Sequence, residues 1–369
     1  MSYINSIYWR VLKCSVGNNY TNKKMVRESN IELLRLILML FIVVHHGLVH
    51  GLGLDSFSSW GGELVVKQSD MFIVSLINAF LIVAVNTFVL ITGYFSINFK
   101  WNKIFKLIIT VFFYTSLFTT IPLLFNYEYN EAFKSLFILS KGPYWFILDY
   151  LFLMIFAPII NIGFHSFDKR KSKYFIGCLL IINCYFGFLW GDKVNNNGYA
   201  LMQFILMYII GRYISIYGVN FRQKQAVLLY LLFSLFNGIL FFLSYRMGHE
   251  DFAWKLTYYN NPLVVTSSIM FFVVFLNISV KSKLINYFAT SALSIYLIQN
   301  SLFVGRSYYK VVSDFYISNS YWILTIAFIV ALSLTICLVS IIIDKMLAPV
   351  INLTLRSFQY IMLNILKHE

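Results

Sequence analysis

Charge is scarce in this sequence. Asp, Glu, Lys and Arg make up 12% of its 369 residues, about half of what a soluble domain carries. A surface so poor in charge cannot face water all round, which excludes an ordinary soluble globular protein. Proline is scarce as well, with five in the chain, so little interrupts long helices. The four cysteines show neither metal-ligand spacing nor a disulfide framework. Cys178, Cys184 and Cys337 lie inside apolar runs and read as small buried hydrophobes. Segments of about ten residues with alternating polarity are missing, which argues against a transmembrane β-barrel. No G-x-S-x-G elbow, phosphate-binding loop or dinucleotide fingerprint occurs in a usable context. Internal repeats and low-complexity tracts are also missing.

What is abundant is apolar. Hydrophobic residues reach 59%, aromatics 19%, and the mean hydropathy is +0.73. Apolar runs recur at the length of about 20 residues that crosses a bilayer as a helix. Ten candidate spans fall at 31–50, 71–95, 103–125, 144–164, 174–190, 199–217, 225–245, 262–279, 287–305 and 321–343. The expected fold class is therefore all-α integral membrane, a bundle of about ten transmembrane helices.

The net charge of +14 would suggest nucleic acid in a soluble protein. Here the basic residues lie between apolar runs, which points instead to topology and to anionic lipid head groups. With the N-terminus inside, twenty of the 29 basic residues fall on cytoplasmic segments and eight on outer ones, leaving Arg35 within the first span. That asymmetry places both termini in the cytoplasm and favours an even span count. No connection is long enough to be a second domain. The expected organisation is an N-terminal extension over 1–27, a transmembrane domain over 28–345 and a cytoplasmic tail over 346–369. Met25 opens a natural start, so residues 1–24 read as dispensable. The tail mixes Ile351, Leu353, Leu355, Phe358, Ile361 and Leu366 with polar residues, the pattern of an interfacial amphipathic helix.

Charge inside a membrane is the strongest functional signal available, because a central Arg costs roughly 2.5–3.5 kcal/mol to insert. The first span holds Arg35 and, eleven residues on, His46. That spacing is about three turns, so both share one helix face, roughly 16 Å apart along the axis. His45 points about 80° away from that face, and His50 lies one turn above His46. Snorkelling to the head groups competes as a reading of Arg35, and an interfacial histidine without chemistry as a reading of His46. Glu32 fits a capping box with Ser29 and also a pair with Arg35 at i+3. Asp149 is the best intramembrane carboxylate and the expected orienting partner for a histidine base. Asn78, Asn86, Gln299 and Asn300 are further polar groups for the same cavity, though interhelical hydrogen bonds would explain each. Trp60, Tyr144, Trp145, Trp190 and Trp254 suit either a membrane-interface belt or sugar stacking. His45, His46 and His50 lack carboxylate or thiol neighbours at metal-ligand spacing, so no metal is expected.

Read in order, these elements resemble the acyltransferase 3 family of membrane enzymes, some of which O-acetylate bacterial exopolysaccharide, capsule and lipopolysaccharide sugars. The resemblance rests on Arg35 and His46 in the first span, and on Asn86 through Thr92-Gly93-Tyr94-Phe95 ending the second. It continues with the basic pair Lys103 and Lys106, with Tyr144-Trp145-Phe146 opening the fourth span, and with the late run from Leu293 to Ile298. It extends over about residues 28–345. Two positions depart from the family pattern: Gln299 stands where a late His is usual, and lysines replace arginines at the basic pair, keeping charge but losing the bidentate fork.

The resemblance implies transfer of an acetyl or short acyl group from acyl-CoA to a glycan hydroxyl, in a bacterial plasma membrane. Lys100, Lys103 and Lys106 would meet the phosphates of cytoplasmic acyl-CoA, with plain topogenic charge as the competing reading. Arg35 would hold a phosphate or the pantetheine. His46, with an ordinary pKa of about 6.5, suits a general base or a transient acyl carrier. Asp149 would orient it, while Asn86, Tyr144, Trp145 and Gln299 would contact the acceptor. A transporter or flippase of lipid-linked sugar is the alternative of another class; it predicts inverted repeats and broken helices. A polysaccharide polymerase would need a large outer loop rich in Arg.

Overall fold

A computed structural model describes residues 28–54, 64–124, 144–190, 196–319 and 321–365. The N-terminal extension, Trp60 and the whole connection over 126–143 lie outside these residues. Among the described residues every regular element is a helix. In chain order they are α1 (Ser29–Val49), α2 (Met71–Leu81), α3 (Ala84–Phe95), α4 (Trp101–Leu124), α5 (Trp145–His165), α6 (Lys169–Leu180), α7 (Leu201–Tyr217) and α8 (Gln223–Arg246). There follow α9 (Glu250–Lys255), α10 (Pro262–Leu276), α11 (Lys283–Phe288), α12 (Ala292–Gln299), α13 (Leu302–Ser318) and α14 (Trp322–Ile365). A π-helical stretch, Ile181–Leu189, extends α6.

Seven helical segments among the described residues are long and apolar enough to cross a membrane, with α2 and α3 counting as one. The pair Lys283–Gln299 and Leu302–Ser318, bent by 78°, makes an eighth if it is one span. Helices α7 and α10 have only 17 and 15 residues. At 1.5 Å per residue they reach about 26 and 23 Å, short of roughly 30 Å of hydrocarbon. Of the ten expected spans, seven are thus helices long and apolar enough to cross on their own, whereas the broken pair and the two short helices are not.

Helix α1 is central. Ile31, Leu34, Leu38, Val43 and Leu48 are almost wholly buried, and α1 touches α3, α10, α12 and α14. Small and polar side chains join the helices where apolar attraction gives no preference in lipid. Examples are Ser268 Oγ to the Val83 carbonyl at 3.3 Å, and Asn261 Nδ2 to Asn237 Oδ1 at 2.9 Å. The outer faces carry exposed Ile159, Ile162, Leu338 and Leu353. A packed soluble protein rarely exposes so much contiguous apolar surface; a lipid-facing bundle does.

Two expectations are corrected. The capping box at Ser29 does not form: the helix starts at Ser29, and its hydroxyl bonds across to Ser282 instead. Glu32 pairs with Arg35, at 2.9 Å. The tail is also not a separate amphipathic helix, because α14 continues through Pro349 to Ile365. Ile351 and Leu355 are buried on the bundle core, and that packing favours continuity over a break at proline.

Candidate active site

The last turn of α1, with His45 and His46, and the His50 that follows it face a cavity of about 730 Å³. Asn78 reaches it from α2 and Ile82 from just beyond, Trp145 from the start of α5, Asn300 from the α12–α13 break and Tyr309 from within α13. The turn before α7 and the loop before α10 close it with Asn196, Tyr199, Thr257 and Tyr259. Helices α5 and α7 both begin at this histidine end and run away from it.

Two of the histidines are held in the same way. His46 Nδ1 lies 2.8 Å from Gln299 Oε1, and His45 Nδ1 lies 2.5 Å from Asn78 Oδ1. Gln299 is fully buried and donates its amide Nε2 to the Tyr309 hydroxyl at 3.1 Å. Its carbonyl oxygen therefore faces His46, and an acceptor there requires a proton on Nδ1. In the neutral ring this leaves the Nε2 lone pair available as a base. The rings of His46 and His50 lie 5.1 Å apart, and those of His50 and Tyr309 4.9 Å apart.

The opposite wall is built from buried amides. Gln203 Nε2 donates to Asn86 Oδ1 at 3.1 Å, and both side chains donate to the Tyr259 carbonyl, each at 2.9 Å. This fixes Tyr259, whose ring stacks on Trp145 with centroids 5.8 Å apart. Tyr199 packs against both rings, at 4.7 and 4.8 Å. Asn196, Asn197 and Gly198 all have positive φ. At Gly198 (φ +88°) a Cβ would sit 2.7 Å from the Asn260 nitrogen, so the turn needs glycine to seat against that loop.

Of the residues singled out from sequence, His46 and Trp145 line the cavity. Gln299 stands directly behind His46, where it orients the ring in place of Asp149. The Asp149 carboxylate lies near the backbone N–H of Leu201 at the first turn of α7, an end that suits a negative charge. Asn86 is buried in the wall and does not face the cavity. Tyr144 is buried too and donates to the Leu297 carbonyl at 3.0 Å.

Arg35 does share the face of His46 but opens toward the other end of the bundle. There it pairs with Glu32, and its guanidinium lies 5.8 Å from the Phe95 ring centre. Lys100, Lys103 and Lys106 are exposed at that same basic end. His45, placed 80° off the active face by helix geometry, nonetheless lines the cavity, which is broad enough to take both adjacent histidines.

Tyr199, Tyr259, Tyr309, Asn196 and Asn197 were not singled out. The Asn196-Asn197-Gly198 run has turn-forming composition, but nothing local says that this turn reaches the histidine cavity. Among the described residues no three His, Cys, Asp or Glu side chains gather to hold a metal ion.

Comparison with known proteins gives a family match. The family model described as an acyltransferase domain, of the acyltransferase 3 type, matches residues 28–344. No curated protein and no solved structure matches the chain.

Proposed function

The chain belongs to the acyltransferase 3 family, and from that premise we propose that it moves an acetyl or other short acyl group from acyl-CoA to a hydroxyl of an exopolysaccharide, capsule or lipid-linked glycan. The observation that carries this reading is His46, lining a cavity with Nδ1 tied to Gln299. The acceptor hydroxyl binds in the histidine-end cavity against Trp145 and Tyr259. His46 Nε2 takes its proton as the oxygen attacks the thioester carbonyl. The C–S bond then breaks, and the leaving thiolate takes the proton back from the imidazolium. In the variant with a covalent intermediate, Nε2 attacks the thioester first and hands the acyl group on.

The donor approaches from the basic end, where Lys100, Lys103 and Lys106 attract its phosphates. The charge bias favours a cytoplasmic position for that end and for both termini, the family resemblance implies a bacterial plasma membrane, and α7 and α10 would complete ten spans. His46→Ala tests the chemistry. At equal membrane levels, acetyl ester on the glycan should fall about 10²–10⁴-fold, the usual contribution of a general base. Unchanged acetylation would remove His46 from the mechanism.

One observation favours a second reading. The 78° break between α12 and α13 is the kind of interrupted helix that carriers place at their substrate sites. Movement of labelled lipid-linked sugar without consumption of acyl-CoA would support a flippase.

A further inference from the structure

The basic end holds two arginines inside the bundle, and they are not equivalent. Arg35 has Glu32 at 2.9 Å. Arg212, on α7, is only 8% exposed, and among the described residues no carboxylate lies within ion-pair distance. Its Nε has no hydrogen-bond partner, and its Nη2 meets His165 Nε2 at 3.5 Å. Arginine does not give up its proton, so a cation buried this far without a counter-charge is strongly unfavourable. Nε and Nη2 form the edge of the guanidinium that grips two oxygens of a carboxylate or phosphate.

The surroundings favour an anion. The turn from α5 to α6 lies over this end of α7, where the Tyr217 hydroxyl donates to the Phe167 carbonyl at 3.0 Å. Lys169 Nζ sits 5.9 Å from the centre of the Tyr217 ring. The acid of the turn, Asp168, accepts the Lys171 backbone N–H at 2.7 Å as a helix cap. His165 is exposed and meets Arg212 through one long hydrogen bond, so an incoming anion can displace its ring.

We infer that Arg212 and His165, flanked by Lys169, form a phosphate-ester site at the basic end of the bundle. Two sources carry this chemistry: the phosphates of the acyl donor and the head group of an anionic lipid. The first source rests on the proposed function; the second does not.

The test uses the purified full-length chain in maltoside detergent, which brings no phosphate. Thermal stabilisation is titrated with CoA, with 3′-dephospho-CoA and with phosphatidylglycerol. Stabilisation by CoA that weakens about tenfold or more in Arg212→Gln identifies the donor. Stabilisation by phosphatidylglycerol that weakens likewise identifies the head group. Arg212→Lys should fall between wild type and Arg212→Gln, because a point charge remains without the fork. Arg212→Met guards against a folding defect: with no native carboxylate partner to strand, its ligand-free stability should match wild type. His165→Gln should weaken the same ligand less. Equal stabilisation of wild type, Arg212→Met and His165→Gln by every ligand overturns the inference, as does no stabilisation of the wild type by any of them. Binding is read without turnover, so retained transfer in His46→Ala would sink the catalytic reading while leaving this one standing.

Discussion

Gly93 and Gly211 set how closely α3 and α7 approach, and adding one methyl group to either tests that packing. A Cβ on Gly93 would lie 2.8 Å from the Tyr208 carbonyl carbon and closer still to its oxygen. One on Gly211 would lie 2.9 Å from the Tyr94 nitrogen. The obstructing atoms are backbone, so they cannot swing away as a side-chain tip would. Restoring an ordinary 3.4 Å contact requires the helices to part by at least about 0.6 Å. The 3.1 Å bond from Gln203 to Asn86 spans the same pair of helices and would stretch past the roughly 3.5 Å at which such a bond is effectively lost. Overpacking of this kind costs about 1–3 kcal/mol, before the loss of a buried hydrogen bond. Gly93→Ala and Gly211→Ala should therefore each lower the thermal midpoint by several degrees and reduce acyl transfer. The double variant should lose less than the sum, because the first methyl already separates the helices. Thermal unfolding in detergent, paired with a glycan acetylation assay, measures both effects. An alanine at position 93 with wild-type midpoint and wild-type transfer would refute the close-approach argument.

Asn86→Leu should leave Gln203 and the Tyr259 carbonyl short of partners in a buried wall, at about 1–3 kcal/mol. Its signature is a raised acceptor KM with donor KM little changed, because the wall faces the histidine end. Trp145→Ala should raise acceptor KM about tenfold or more, while Trp145→Phe keeps a stacking face and loses less; equal losses in the two would argue against stacking.

The fold class was legible because its signal is compositional: low charge, few prolines and apolar runs of bilayer length. The distribution of spans was less so. Nothing in the run 287–305 told that it breaks at Asn300, since no proline or glycine marks the break; the bend emerges from how α12 and α13 pack on α1. At the site, His46 and Trp145 could be found from spacing and from family resemblance. The role of Gln299 could not, since an amide near a late helix end has the same appearance whether it faces substrate or another side chain. Asp149 misled for the opposite reason. A lone carboxylate in an apolar run draws attention, yet this one lies near the start of α7, a neighbour that comes into register only in three dimensions. Arg212 counts among the cytoplasmic basic residues in the sequence, and only its packing shows that it is buried; the Glu32–Arg35 pair, by contrast, was already legible from its i+3 spacing.

An amide behind His46, where the Asp149 carboxylate was expected, follows from burial. Gln299 is fully enclosed, and among the described residues its side chain bonds to His46 and the Tyr309 hydroxyl. A carboxylate there would have too few donors to offset its desolvation. Gln299→Glu makes that comparison with nearly unchanged shape, and three proton arrangements are open to it. An ionised Glu beside a neutral ring keeps the Nε2 lone pair but buries a poorly satisfied charge. An ionised Glu beside an imidazolium forms an ion pair and removes the lone pair. A protonated Glu that donates to Nδ1 forces the ring proton onto Nε2, which also removes it. The two arrangements that avoid an isolated buried charge both disable the base, so transfer should fall at least about tenfold although the ring stays anchored. Gln299→Met, which lets the ring take either tautomer, should retain more activity than Gln299→Glu. If the glutamate variant transfers as fast as the wild type, the ring does not depend on the amide for its tautomer, and His46 is not poised as a base in the manner inferred from its Nδ1 contact.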